Sequence, residues 1–195
     1  MKLIFQSRKL KQLQQLPGNT GFRESKLLFQ IARSLKNNAV IVEIGSFLGK
    51  TTCFIAEGIG NKQIQFLTVD TWNNDKKPGG HKDVYDEYLE NTKAYKGKFT
   101  PLRGYSYDIV KTWPQQRKIN FLFIDGDHSY EGMKRDIEDW LPLVKDKGIV
   151  CFHDYRDAPG VIKAVDEARK QGRLKFIRQV TSIYMAQYIR KGRSS

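Results

Sequence analysis

Residues 39–51 have the sequence AVIVEIGSFLGKT, an unbroken apolar run that ends in an acidic residue and a glycine-rich turn. An apolar run of this kind, followed by a helical pattern from Lys50, predicts a strand buried on both faces that leads into a helix. The same unit recurs along the chain, which predicts an α/β fold: a doubly wound, mostly parallel seven-stranded sheet with helices on both faces. The seven predicted strands are 39–45, 64–70, 98–103, 119–125, 148–152, 173–179 and 182–189.

The chain has 195 residues, of which 39% are hydrophobic and 28% are charged, as in ordinary globular proteins. We predict one domain over 1–195, with an N-terminal helical extension at 1–37 and an α/β core at 38–195. The apolar runs are too short to span a membrane. Cys53 and Cys151 have neither zinc-site nor disulfide-framework spacing, which predicts reduced thiols in a cytoplasmic protein.

The formal net charge of +13 is concentrated at the two ends of the chain. Residues 1–36 and 163–195 each carry a net +7, whereas residues 37–162 carry −1. Neither end contains five or six like charges in a row, which favours solvated faces over a polyanion-binding site. We therefore do not expect a nucleic-acid partner, although a non-catalytic polyanion-binding module remains an alternative.

Polar residues follow four of the predicted strands at the point where each strand ends. They are Glu43, Asp70, Asp125 and the pair His153-Asp154. In open α/β sheets, ligands bind at the carboxyl ends of the parallel strands. The sequence therefore predicts an acidic ligand site at that edge.

The glycine turn has three interpretations. Its GSFLGKT sequence at 45–51 is one residue shorter than the phosphate-binding motif G-x-x-x-x-G-K-[ST]. Glu43 would also repel phosphates. A P-loop-like nucleotide hydrolase nevertheless stays an alternative. It also lacks the second glycine of the dinucleotide motif G-x-G-x-x-G. A cationic nucleoside without phosphates, such as S-adenosylmethionine (SAM), suits both acids, since Asp70 can accept hydrogen bonds from the ribose hydroxyls.

Five segments carry a resemblance to a known family: VEIGSFLGKTT at 42–52, VDTW at 69–72, FIDGDHSYEG at 123–132, KRD at 134–136 and FHDY at 152–155. The sequence resembles the class I SAM-dependent methyltransferases. Within them it is similar to the small bacterial branch that includes macrocin O-methyltransferase-like and cephalosporin hydroxylase-like proteins. The resemblance covers roughly residues 38–166.

The resemblance implies SAM as the cofactor, held by residues at the strand ends. The glycine turn would hold the methionine end, Asp70 the ribose, and Ser106 would lie near the adenine. The predicted cofactor-binding residues are Glu43, Gly45, Ser46, Gly49, Lys50, Thr51, Asp70, Thr71, Ser106 and Asp125.

The acids that follow the fourth and fifth strands predict a catalytic cluster. Converging carboxylates repel each other and have raised pKa values unless a cation intervenes, which favours a divalent metal such as Mg, Mn or another ion. By similarity to metal-dependent O-methyltransferases, the ligands would be Asp125, His153 and Asp154. Histidine suits Mn, Fe or Zn better than Mg, so His153 is either a ligand of a softer metal or a base or hydrogen-bond donor. His128 and Asp127 are the predicted catalytic residues, and either one, or His153, could be the base.

We therefore predict a SAM-dependent methyltransferase that O-methylates a small hydroxylated acceptor, such as a sugar or a secondary metabolite. The basic ends could favour an acidic acceptor if they fold beside the site. The polar loop 71–82, with Gly79 and Gly80, is a potential lid. The sequence leaves the oligomeric state open, a homo-oligomer included.

Overall fold

The computed structural model describes residues 2–73 and 82–190. Its centre is a seven-stranded sheet in the order β3-β2-β1-β4-β5-β7-β6. The first five strands run parallel, while β7 is antiparallel to both β5 and β6. The strands are β1 (Val40–Ile44), β2 (Gln65–Asp70), β3 (Thr100–Arg103), β4 (Ile119–Ile124), β5 (Val144–Phe152), β6 (Leu174–Val180) and β7 (Ile183–Tyr188). The predicted mostly parallel seven-stranded sheet is confirmed.

Helices cover both faces of the sheet, and each face takes alternate residues of the strands. The helices are α1 (Lys2–Leu13), α2 (Phe22–Ser34), α3 (Lys50–Ile59), α4 (Tyr85–Thr92), α5 (Ser106–Ile109), α6 (Tyr130–Trp140) and α7 (Pro159–Lys170). Val40, Val42 and Ile44 of β1 pack into one core with α6 and α7. Ile41, on the opposite face, packs into a second core with α1, α2 and α3. This period of two in a fully buried strand is the geometry expected for a sheet covered on both sides.

Two boundaries differ from the sequence-based prediction. Val144, which the helical spacing assigns to the helix after 130, instead begins β5, because α6 ends at Trp140 and a short 3-10 turn follows. The sequence after the third strand predicts a short helix at 107–113, whereas the structure has an α-helix only at Ser106–Ile109 and a 3-10 turn that continues to Thr112. In both places a 3-10 turn follows the α-helix, and its apolar residues have nearly the spacing that a longer α-helix would give.

None of the helices in the part of the chain that the structure describes is long and apolar enough to cross a membrane.

Candidate active site

A cavity of about 770 Å³ opens where β1, β2, β4 and β5 end. This is the carboxyl edge of the parallel strands, where ligands bind in sheets of this kind. The predicted site residues that line it are Gly45, Ser46, Gly49, Lys50, Thr51, Asp70, Thr71, Ser106, Asp125, Asp127, His128, His153 and Asp154. Of the predicted set, Glu43 is the residue that the lining does not include.

The glycine turn approaches the neighbouring strand closely at its first residue. Gly45 has φ +86°, and a Cβ atom there would lie 2.0 Å from the carbonyl oxygen of Asp125. Gly49, at φ +87°, is the N-cap of α3. Both positions need a residue that tolerates a left-handed backbone, and at Gly45 the absence of a side chain also lets β1 and β4 end side by side.

The Asp70 carboxylate ties the glycine turn to the end of β2. Its Oδ2 accepts a hydrogen bond from the backbone N–H of Phe47 at 2.8 Å, and its Oδ1 accepts one from the backbone N–H of Trp72 at 2.7 Å. Trp72 also donates its indole N–H to the carbonyl of Phe47 at 2.9 Å. Phe47 and Trp72 both have positive φ, so these contacts hold the two segments in a strained backbone conformation.

Trp72 belongs to the predicted lid, but it is a buried residue that packs against Tyr88 at a ring distance of 4.7 Å. Gly79 and Gly80 of that loop lie outside the described residues.

Glu43 lies behind the glycine turn. Its carboxylate is fully buried and accepts hydrogen bonds from Ser46 at 3.1 Å and Thr52 at 2.5 Å, while Oε1 has no hydrogen-bond partner among the described residues. Burial raises the pKa of Glu43 to about 7. The structure thus places Glu43 where it positions the turn and the start of α3.

Lys50 secures the segment before α2. Its buried ammonium donates a hydrogen bond to the carbonyl of Gly18 at 2.8 Å. Gly18, Asn19 and Thr20 line the cavity in turn. Since Lys50 is bound in this way and the Phe47 N–H is already donated to Asp70, the turn is not arranged as a phosphate cradle.

The half-buried Ser106 and the buried Asp136 form a pair on another side of the cavity. The Ser106 hydroxyl donates to Asp136 Oδ1 at 2.5 Å. Burial raises the pKa of Asp136 to about 7. Asp136 has no predicted role, since an acid in the middle of a helix is typical of an ordinary helix residue.

Two histidines and two aspartates meet at the ends of β4 and β5. His128 lies between the aspartates, with Nε2 at 3.3 Å from Asp125 Oδ1 and Nδ1 at 3.2 Å from Asp154 Oδ2. His153 Nδ1 is 3.2 Å from Asp125 Oδ1 and 3.2 Å from Asp154 Oδ1. We call these four residues the histidine–aspartate cluster.

The charges of this cluster stabilise one another. Burial alone raises the pKa of Asp125, but His153 and His128 outweigh it and hold that pKa below its usual value. Hydrogen bonding to Asp125 raises the pKa of His128. Burial lowers the pKa of His153, yet the neighbouring carboxylates dominate and raise it.

Asp127 borders the same corner of the cavity. Its Oδ1 accepts the backbone N–H of Ser129 at 2.9 Å, and Ser129 is the N-cap of α6. A Cβ atom at Gly132 would lie 2.5 Å from Asp127 Cγ, so the glycine leaves the room that this side chain occupies.

The donor set of the cluster fits a divalent cation. Asp125, His128 and Asp154 offer ligand atoms that all lie within 4.8 Å of one another, so the histidine that the geometry groups with the two aspartates is His128, whereas the predicted histidine ligand was His153. The buried Nδ1 of His153 faces both aspartates without an aligned hydrogen bond, as a nitrogen ligand would. Two carboxylates with imidazole nitrogens suit Mn, Fe or Zn better than Mg.

A buried acid that the sequence analysis missed lies behind the cluster. Glu24 of α2 places Oε2 at 3.6 Å from His153 Nε2, while its Oε1 accepts from the Ser182 hydroxyl at 2.6 Å. Glu24 is the one acidic residue in 1–36, where eight residues are basic, and this isolation was the available signal.

A family model described as a methyltransferase domain matches residues 42–155, more than half of the chain. The chain belongs to the methyltransferase-domain family. This confirms the family predicted from the sequence, and the matched range contains the glycine turn, Asp70 and the histidine–aspartate cluster.

Comparison with solved structures supports the fold of this methyltransferase. The O-methyltransferase TomG from Streptomyces achromogenes, described as involved in tomaymycin synthesis and in complex with SAM, superposes with a TM-score of 0.69 at 16% identity. The match covers 96% of this chain and 95% of TomG.

The curated relatives are longer proteins. An uncharacterised protein of Acanthamoeba polyphaga mimivirus is 28% identical over 141 residues, 68% of this chain and 60% of that protein. An uncharacterised protein of Sinorhizobium fredii is 28% identical over 117 residues, 58% of this chain. This chain matches only 13% of the length of the S. fredii protein.

Proposed function

We propose that this methyltransferase transfers the methyl group of SAM to a hydroxyl oxygen of a small acceptor. The observation that carries the proposal is the single cavity in which the glycine turn, Asp70 and the histidine–aspartate cluster meet. A cavity of about 770 Å³ has room for a nucleoside cofactor and a small acceptor side by side.

The residues around the turn and Asp70 suit SAM. The Asp70 carboxylate lies at the end of β2 and lines the cavity, where it can accept a hydrogen bond from a ribose hydroxyl. Gly45, Ser46, Gly49 and Thr51 would surround the methionine end, and Thr71 the ribose. Ser106 and Asp136 are placed to meet the polar edge of the adenine, and Glu43 and Lys50 act by positioning the turn and the segment 18–20.

Asp127 is the general base that the geometry favours. Both nitrogens of His128 already face carboxylates, and a base needs a nitrogen lone pair directed at the acceptor. In the proposed step, the acceptor hydroxyl gives its proton to Asp127 and its oxygen forms a bond to the methyl carbon. The carbon–sulfur bond breaks, and its electron pair stays on sulfur to give S-adenosylhomocysteine.

Asp125, His128 and Asp154, with His153, would hold a divalent cation. When bound, such an ion acts as a Lewis acid that lowers the pKa of a coordinated hydroxyl. Whether or not an ion is bound, the carboxylates of Asp125 and Asp154 hold the rings of both histidines through N···O contacts of 3.2–3.3 Å. These contacts define the wall of the cavity next to Asp127.

We propose a sugar or secondary metabolite as acceptor, in line with the pathway named for TomG. The charge that would attract an acidic acceptor comes from Arg135, which lines the cavity. Its guanidinium lies 4.6 Å from the centre of the Tyr107 ring. The basic ends of the chain contribute no charged side chain to the lining among the described residues, since residues 18–20 are Gly, Asn and Thr. An acidic acceptor would therefore be selected by Arg135.

Cys53 and Cys151 are free and buried, which supports the proposal of a cytoplasmic protein. The extension at 1–37 packs through α1 and α2 against α3, which supports a single domain over 1–195. A homo-oligomer stays a prediction.

Calorimetric titration with S-adenosylhomocysteine tests the proposal. We expect saturable binding at one site, and no binding of ATP. Absence of S-adenosylhomocysteine binding, with or without Mn²⁺, would contradict the proposed function, and ATP binding in its place would favour the nucleotide hydrolase. A screen of hydroxylated sugars and phenols, with formation of S-adenosylhomocysteine as the readout, then identifies the acceptor class.

A further inference from the structure

Glu24 lies outside the cavity but inside the hydrogen-bond network of the cluster. It is a buried residue in the first turn of α2, and its Oε2 accepts the backbone N–H of Gly21 at 2.8 Å. A capping contact of this kind needs only one oxygen. The other oxygen, Oε1, reaches residues at the turn between β6 and β7.

Three donors converge on Glu24 Oε1. Thr181 donates its hydroxyl, and Ser182 donates both its backbone N–H at 2.9 Å and its hydroxyl at 2.6 Å. Burial acts to raise the pKa of Glu24, but the neighbouring His153 and these bonds outweigh it and hold that pKa well below its usual range. Glu24 is therefore a fully engaged carboxylate with fixed geometry.

The Ser182 hydroxyl determines which nitrogen of His153 carries a proton. A hydroxyl has one proton, and Ser182 gives its proton to Glu24. The same oxygen lies 3.3 Å from His153 Nε2, so towards the imidazole it can act only as an acceptor. His153 must then be protonated at Nε2.

Protonation at Nε2 directs Nδ1 of His153 at the cluster. Nδ1 lies 3.2 Å from one oxygen of Asp125 and 3.2 Å from one oxygen of Asp154. It can serve there as the donor of an imidazolium or as the lone pair of a metal ligand, and in both cases the orientation of the ring is the same. In reactive sites, residues behind a histidine commonly orient it through a hydrogen bond to the ring nitrogen that faces away from the reaction.

We propose that Glu24 is a positioning residue of the active site, acting through Ser182 to fix the tautomer and orientation of His153. The proposal rests on the proposed function, since it assigns that site its supporting residue. It also makes the helical extension at 1–37 part of the active site: α2 holds His153, and the segment 18–20 just before α2 lines the cavity.

The test is NMR of the full chain with ¹⁵N-labelled histidine, in which the three imidazoles are His81, His128 and His153. His153 is assigned by its loss in His153→Gln. In the wild type, we expect His153 Nε2 to be protonated and to give a sharp N–H correlation protected from exchange. A bare Nε2 would overturn the proposal.

Variants separate the hydrogen-bond role from a general effect on folding. Ser182→Ala removes the hydroxyl that accepts from His153 Nε2, and Glu24→Ala removes the carboxylate that orients this hydroxyl. In both variants we expect loss of the protected Nε2–H signal. Glu24→Gln keeps a carbonyl oxygen for the Ser182 hydroxyl, and we expect it to restore the signal. Glu57→Gln, which changes the partner of Tyr95, is the control and leaves the His153 spectrum unchanged. An unchanged His153 spectrum in Ser182→Ala would overturn the proposal even if Glu24→Ala does not fold.

Titration with S-adenosylhomocysteine in the same samples distinguishes the two proposals. If the wild type does not bind it but shows the expected Nε2–H signal, the proposed function fails while the tautomer assignment stands. If the wild type binds it but His153 carries its proton at Nδ1 alone, the inference about Glu24 fails and the proposed function stands.

Discussion

Asp70 accepts the backbone N–H of Phe47 at 2.8 Å, so the last residue of β2 holds the turn that follows β1. The same carboxylate accepts the backbone N–H of Trp72 and lines the cavity, so it positions a loop at the place where a ligand can bind.

Asp70→Asn should weaken the binding of S-adenosylhomocysteine at least about tenfold, because an amide nitrogen would replace one charged acceptor that contributes about 1.5–3 kcal/mol. Calorimetry measures the change. Asp146→Asn is the control, since that exposed carboxylate also accepts a backbone N–H, from Arg190, but lies near the opposite end of β5. Equal affinities of Asp70→Asn and wild type would contradict the assignment.

Gly45→Ala and Gly97→Ala form a matched pair. Both glycines have similar backbone conformations, φ +86° and +84°, but a Cβ atom at Gly45 meets the Asp125 carbonyl at 2.0 Å, while one at Gly97 meets nothing within 4 Å. We expect Gly97→Ala to cost about 1 kcal/mol of unfolding free energy and Gly45→Ala to cost well over about 3 kcal/mol. Urea denaturation measures both, and similar costs would show that β1 and β4 can separate without penalty.

The centre of the fold was predictable because β1 and β4 are buried at almost every position along their length. The run from Val40 to Ile44 is buried at every position, so its sequence needs no knowledge of its neighbours to indicate a central strand. Asp70 and Asp125 were predictable for a related reason, since parallel strands bring their carboxyl ends to one edge.

Glu24 was not predictable by such reasoning. Its local signal is that of a helix-capping acid, three residues after Gly21. Its contact with Ser182 spans 158 positions along the chain and depends on where the β6–β7 turn lies in the finished sheet. The orientation of Glu43 was not predictable either. Its sequence position indicates a ligand contact, and only the hydrogen bonds from Thr52 and Ser46 show that it faces inward.

The buried carboxyl of Glu43 should make stability depend on pH near neutrality. Its pKa rises from 4.5 to about 7 in the folded state, so between these values the folded protein holds a proton that the unfolded chain releases. Stability therefore falls as pH rises from about 4.5 to 7 and is level above that. Glu43→Gln should gain stability relative to wild type between pH 5 and pH 8, by at most about 3 kcal/mol.

Melting curves across this pH range measure the difference for Glu43→Gln. Glu90→Gln removes an exposed carboxyl that pairs with Lys93 and serves as the comparison. Stability curves of wild type and Glu43→Gln that stay parallel from pH 5 to pH 8 would refute a raised pKa at this position.

A divalent cation at the histidine–aspartate cluster should depend on Asp154. We expect Mn²⁺ to bind the wild type and Asp154→Asn to weaken that binding at least about tenfold, since an amide is a poorer ligand than a carboxylate. Asp157→Asn, three residues away and paired with Arg156 at the surface, should bind Mn²⁺ like the wild type. Calorimetry in the presence of S-adenosylhomocysteine measures both. Failure of the wild type to bind Mn²⁺ would remove the metal from the site and leave methyl transfer from SAM with Asp127 as the base.

The hydrogen bonds between Glu24 and Ser182 have a consequence for biosynthesis. Glu24 is synthesised 158 residues before Ser182, so the carboxylate meets these donors only after the β6–β7 hairpin has emerged. Contacts of such long sequence separation form late and slow folding. During that interval the apolar face of α2 lacks part of its final packing, and transiently exposed apolar surface of this kind favours aggregation.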